Sequence, residues 1–171
     1  MLVVRSFLLV SNHYVPVEQL DAGTFEAWLT SEPSPVDLGG AIEIVVDGEM
    51  RLDRDAGYAF VLTFWSDALR ALTDLLDRKE HTEAVLAFSS LKFRIWDDGS
   101  VTGNYESAGP ISKRIFLFAS PLPEVVGAFV NAASVFYSSI NEASKTADVR
   151  FDDGISALHR LQDKWHAAKS G

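Results

Sequence analysis

The sequence predicts an α+β fold in one domain: an antiparallel β-sheet organised around a central hairpin and packed by a long helix, a second helix and a peripheral C-terminal helix. Three observations carry this. Leu91, Phe93 and Ile95 alternate with Lys92, Arg94 and Trp96, the period-two pattern of a strand with one buried face. Asp98-Gly99 separates that run from Val101–Tyr105, and Asp-Gly between two such runs is a strong hairpin signal. The elements then order as strands, a helix, a run of strands and two helices, which is the grammar of helices packed on an antiparallel sheet.

Taken in order, Met1–Val10 is apolar and reads as a first strand. Residues 11–40 are polar and turn-rich, with one short helix expected over Ala22–Thr30 carrying Phe25, Trp28 and Leu29 on one side. Ser31-Glu-Pro-Ser-Pro35 should end it, because a residue before proline is pushed to extended geometry. Ala41–Val46 is the next strand, Asp47-Gly48 its turn and Glu49–Leu52 its return. Residues 54–63 resist assignment; Phe60–Phe64 fits a third strand or the entry to a helix. Thr63–Asp77 reads as a helix, with Phe64, Ala68, Leu69, Leu72, Leu75 and Leu76 at helical spacing.

Ala84–Ser89 is strand-like and leads into the central hairpin, and Ile111–Phe118 supplies a third adjacent strand. Ser120 and Pro121 are expected as the N-cap and first residue of the longest helix, with Glu124 in its first turn. Leu122, Val125, Val126, Phe129, Ala133, Phe136, Tyr137 and Ile140 make its core-facing stripe. A last helix from Asp152 to about Lys169 carries Ile155, Leu158, Leu161 and Trp165 on one face.

The 171 residues suffice for one substantial core, and the chain has no cysteine, which excludes disulfides, thiolate metal sites and cysteine nucleophiles. The apolar N-terminal run is too short to span a bilayer and lacks the features of a cleaved signal, so a cytoplasmic protein without a membrane partner is expected. Net charge is −9 and unevenly placed: residues 1–85 carry 15 acidic and 6 basic residues, whereas residues 86–171 carry 9 of each. Ten acids fall within Glu18–Asp55, opposed only by Arg51 and Arg54. Such a surface repels a phosphate backbone, which argues against nucleic acid, and attracts a basic protein. The same charge also serves solubility.

No motif with catalytic roles emerges. His159 and His166 lie seven apart, not the four that a helical metal pair prefers. Asp97-Asp98 and Asp152-Asp153 both precede a glycine, where turn and cap chemistry explains the second carboxylate. Gly39-Gly40 precedes a strand, not the helix a phosphate loop requires, and no serine sits in a nucleophile elbow. No catalytic residue, metal ligand or cofactor is therefore assigned. Lys92, Arg94 and Trp96 form one outward strand face and are of the residue types that anchor interfaces. A helix laid over that face would bury Trp96 instead.

Gly40-Ala-Ile-Glu-Ile-Val-Val-Asp-Gly48, the Trp65–Leu72 helix, Leu91-Lys-Phe-Arg-Ile-Trp-Asp-Asp-Gly99 and the long helix give an arrangement, over residues 40–142, that resembles the small α+β immunity proteins of bacterial toxin–immunity systems, including contact-dependent growth inhibition. The resemblance implies tight, non-catalytic binding to one cognate toxin domain, often a basic nuclease. The residues expected at such a partner surface are Glu18, Asp21, Glu26, Trp28, Glu32, Asp37, Asp53, Asp55 and Trp96. Two other classes compete: a small-molecule-binding or enzymatic domain with its pocket between sheet and long helix, and an oligomer that pairs through the last helix.

Overall fold

The computed structural model describes residues 1–31, 38–108, 112–146 and 151–170. The α+β class holds, and the strands divide into two antiparallel sheets. The first orders as β2 (His13–Pro16), β1 (Leu2–Val10), β3 (Gly39–Val46) and β4 (Glu49–Leu52), with β5 (Tyr58–Phe60) pairing the start of β3. The second orders as β6 (His81–Val85), β7 (Ser89–Ile95), β8 (Ser100–Ser107) and β9 (Arg114–Pro121). Four α-helices are described: α1 (Ala22–Leu29), α2 (Val61–Leu76), α3 (Leu122–Ala143) and α4 (Asp152–Ser170).

Local chemistry accounts for these elements. Ser11 and Asn12 (φ 48° and 65°) turn β1 into β2, and Asp47 and Gly48 (φ 52° and 84°) turn β3 into β4. Two-residue turns with both φ values positive match the natural strand twist. Asp21 caps α1 by accepting from the Thr24 amide at 2.7 Å. The unassigned stretch resolves as a turn closed by Gly57 N to Asp53 O at 2.8 Å, then β5, then entry into α2 at Val61.

Three expectations shift. The strand before the hairpin is His81–Val85 rather than Ala84–Ser89, because Ser89 and Ser90 already belong to β7 and Leu86 N bonds Ser89 O at 2.9 Å across the turn. Its polar residues fit an edge strand facing water. Ser120 is not a helix cap: it is a buried residue of β9, and Pro121 takes the N-cap position. The third strand begins at Arg114. Ile111, the Gly109-Pro110 break and most of the segment proposed to end the first helix lie outside the described residues.

One core serves both sheets. Trp65 of α2 donates Nε1 to Ser6 Oγ of β1 at 3.1 Å and packs on Phe129 and Phe136 of α3. Phe129 meets Phe93 of β7 at 5.5 Å between ring centroids, and Phe93 meets Phe118 of β9. A fully buried tryptophan is worth having here only because its N–H finds a partner. The α3 stripe is buried along its whole length as the spacing predicts. Leu158 and Leu161 of α4 are buried where that helix packs on α2 and α3, with Ile155 and Trp165 partly buried beside them.

Candidate partner-binding surface

The second sheet keeps one face open. On its inner face Leu91, Phe93, Ile95 and Val101 are buried. On its outer face the cross-strand rows are Glu83–Lys92–Asn104–Phe116 and His81–Arg94–Thr102–Ala119. Phe116 is 59% exposed there and Trp96 43%. Period-two alternation therefore places Lys92, Arg94 and Trp96 outward together, as predicted.

Trp96 follows β7 directly and opens the hairpin turn: its N–H bonds Ser100 O at 2.9 Å, and Gly99 N bonds Trp96 O at 2.9 Å. The indole Nε1 reaches Thr102 Oγ1 at 3.3 Å. Arg94 lies over the indole with its guanidinium carbon 3.9 Å from the ring centroid, well within cation–π range. Arg94 Nη2 donates to Glu80 Oε1 at 2.9 Å, and Glu80 also meets His81 Nε2 at 3.1 Å. Arg94 Nε is shielded from solvent and has no hydrogen-bond partner among the described residues, a donor that is costly to leave unmet.

Arg78, Glu80, Arg94, Ile95, Trp96 and Asp97 enclose a hollow of about 590 Å³ at this end of the sheet. Arg78 enters it from the end of α2 with φ 60°. Arg78 N bonds Leu75 O at 3.0 Å and Lys79 N bonds Asp74 O at 3.0 Å, a Schellman closure with arginine where glycine is usual. Hydrogen bonds from the Ser100 hydroxyl and amide hold the Asp98 carboxyl below its ordinary range, which fixes the turn beside Trp96. Further along the face Lys92 bonds Glu106 at 2.9 Å and lowers its pKa. This end of the sheet carries Arg78 and Arg94 against Glu80 and Asp97, and the face as a whole exposes two aromatics, Trp96 and Phe116.

The acids of residues 18–55 do not gather around Trp96; none lines its hollow. Asp53 and Asp55 line a separate hollow with His13, Tyr14, Met50 and Arg54, and Glu18 lines a groove beside β1. Asp21 is spent as a helix cap, Glu43 is buried against Arg54, Asp47 pairs with the Met1 ammonium and Glu49 with Arg51 at 2.7 Å. Glu26 is exposed on α1. Glu32 and Asp37 lie outside the described residues. Trp28 requires a correction: it is fully buried, with Nε1 donating to Gly39 O at 2.9 Å, so it holds α1 to β3 and presents nothing to a partner. Sequence reasoning missed Phe116 and Arg78, the first because a strand's buried and open faces read alike when both are aromatic, the second because a left-handed arginine leaves no sequence pattern.

The space between Phe129, Phe136 and Trp65 is filled by their own rings. Burial there pushes the Tyr137 hydroxyl up to about 12. Among the described residues no group of three or more His, Asp or Glu is placed to hold a metal ion, and no helix is long and apolar enough to cross a membrane. Comparison with protein-family models, with curated proteins and with solved structures finds no match to this chain.

Proposed function

We propose that the chain is a cytoplasmic, non-catalytic binding protein that neutralises a cognate bacterial toxin domain by direct occlusion, in the manner of an immunity protein. The observation that carries the reading is the Arg94–Trp96 pair on the open face of the second sheet. An exposed indole stacked under a guanidinium, with Phe116 exposed further along the same sheet face, is the composition of an interface anchor. Glu18, Glu26, Asp53 and Asp55 carry no ion pair among the described residues, so their field steers a basic partner during approach, away from the anchor itself.

Tagged protein coexpressed with its gene neighbours and isolated in moderate salt tests this. A stoichiometric basic partner is expected. Trp96→Ala should speed its dissociation by about tenfold or more, whereas joint Asp53→Lys and Asp55→Lys should slow association and leave dissociation unchanged. Retention of nothing, or dissociation indifferent to Trp96, would overturn the reading.

A further inference from the structure

The second sheet ends in an unpaired edge. β9 is its last strand and, among the described residues, pairs only with β8. Ser107 N donates to Lys113 O at 3.0 Å, so Lys113 and, two residues on, Ile115 turn their backbone groups toward β8. Arg114 and Phe116 point theirs away from the sheet, where no hydrogen bond meets them among the described residues.

The side chains at this edge are accessible too. Arg114 is exposed, Ile115 is 47% exposed and Phe116 more so. Ile115 continues the inner row of Leu91 and Tyr105, whereas Phe116 lies on the outer face, so apolar surface flanks the edge on both sides. Leu117 ends the open stretch. It has no partner on β8, since Phe116 matches Asn104 and Phe118 matches Gly103, and both Leu117 and Phe118 are buried. Lys113 and Arg114 form no ion pair among the described residues; Glu106, opposite Arg114 on β8, is bonded to Lys92 at 2.9 Å. In a chain of net charge −9 these are two uncommitted cations side by side.

We propose that the edge at residues 113–116 takes an extended, acidic segment of a partner protein, added antiparallel beside β9. An extended backbone satisfies the outward N–H and C=O groups of Arg114 and Phe116 at their own spacing. Four residues of edge span about 13 Å. Charge selects carboxylates opposite Lys113 and Arg114, and the exposed apolar pair selects β-branched side chains opposite Ile115 and Phe116. A second copy of the chain fits less well. It would crowd its own Lys113 and Arg114 onto the same few residues, which is how native edges resist self-pairing. The site does not rest on the Trp96 anchor: it lies at the Ser107 end of β8, and Trp96 lies at the Ser100 end, with Phe116 bordering both.

The probe is a fluorescein-labelled peptide, Thr-Val-Ile-Glu-Glu-Thr, titrated into the full chain by anisotropy, with amide exchange read residue by residue. Binding at about 100 µM is expected, with new protection at Arg114 and Phe116. Replacing both glutamates by lysine, N-methylating the peptide at alternate residues, or Arg114→Glu in the protein should each weaken it about tenfold. Trp96→Ala should leave it unchanged, which separates this edge from the anchor. No binding at about 1 mM would overturn the proposal. So would equal binding of the lysine or the N-methylated peptide, or binding without protection at Arg114 and Phe116. Self-association that the peptide displaces would assign the edge to a second copy of the chain and would also overturn it.

Discussion

Arg54 closes over Glu43: its Nε lies 3.0 Å from Oε1, and its guanidinium carbon sits 5.1 Å from the Phe7 ring centroid and 5.9 Å from that of Tyr14. Glu43 is only 4% exposed in the middle of β3, a position where a carboxylate has no place without a cation. The loop after β4 supplies that cation and sets it within cation–π range of Phe7 and Tyr14.

Arg54→Ala should therefore destabilise the protein by about 2 kcal/mol, since Glu43 would keep only the distant Arg5. Adding Glu43→Gln should recover part of the loss, because the buried charge disappears. Urea unfolding of the single and double variants measures both. Equal stability of the single variant and the parent protein would show that the pair contributes nothing.

Gly103 stands opposite Phe118 at the shift in register between β8 and β9. A Cβ there would overlap Cε1 and Cζ of the Phe118 ring, and even Cε2 would lie at 2.9 Å. Gly103→Ala should cost about 2 kcal/mol through overpacking. Phe118→Leu should relieve much of the clash while opening its own smaller defect, so the pair is expected to be non-additive. Thermal unfolding of the four proteins in the cycle tests this.

Arg78 holds a left-handed backbone at the end of α2, a conformation disfavoured for any side chain with a Cβ by about 1 kcal/mol. Arg78→Gly should stabilise the fold by roughly that amount. If Arg78 contributes to the partner surface, the same variant gains stability and loses affinity, an opposition that a purely structural residue would not produce. Denaturation and partner dissociation measured on one preparation separate the two effects.

Burial raises the Tyr137 hydroxyl from its ordinary 10 to about 12. The sign follows from which state binds the proton longer. Folding stability is unaffected by this group below about pH 10, then falls as pH rises from 10 toward 12, where the unfolded chain ionises and the folded one does not. Tyrosinate absorbance should show a group titrating near 12 that vanishes in Tyr137→Phe, and that variant should unfold less steeply with alkali.

Much of the architecture was legible from residue order because the patterns were local. The β7–β8 hairpin, the α3 stripe and the Asp47-Gly48 turn each declare themselves within about twenty residues. The partition into two sheets was not, since whether β3 and β7 share a sheet depends on long-range pairing that leaves no periodic trace. Alternation put Trp96 on the outer face of its strand, but whether a helix covered that face could be read only from the structure, where the indole is 43% exposed. Trp28 could not be placed inward, because a tryptophan on a short helix amid acids carries the same pattern whether its N–H meets water or, as here, the carbonyl of Gly39. The acids misled for a related reason: sequence clustering says nothing of which carboxylates cap helices, lie beneath an arginine or face different hollows.

β1 lies at the heart of the first sheet, yet the helix that lines its groove, α3, is about 110 residues further along the chain. During synthesis the strand therefore leaves the ribosome roughly ten seconds before its covering helix exists. Through that interval the apolar run Leu2–Val10 has only β2 near it in sequence, with β3 following later. Nascent chains stalled before residue 122 should engage trigger-factor-type holdases far more than released ones.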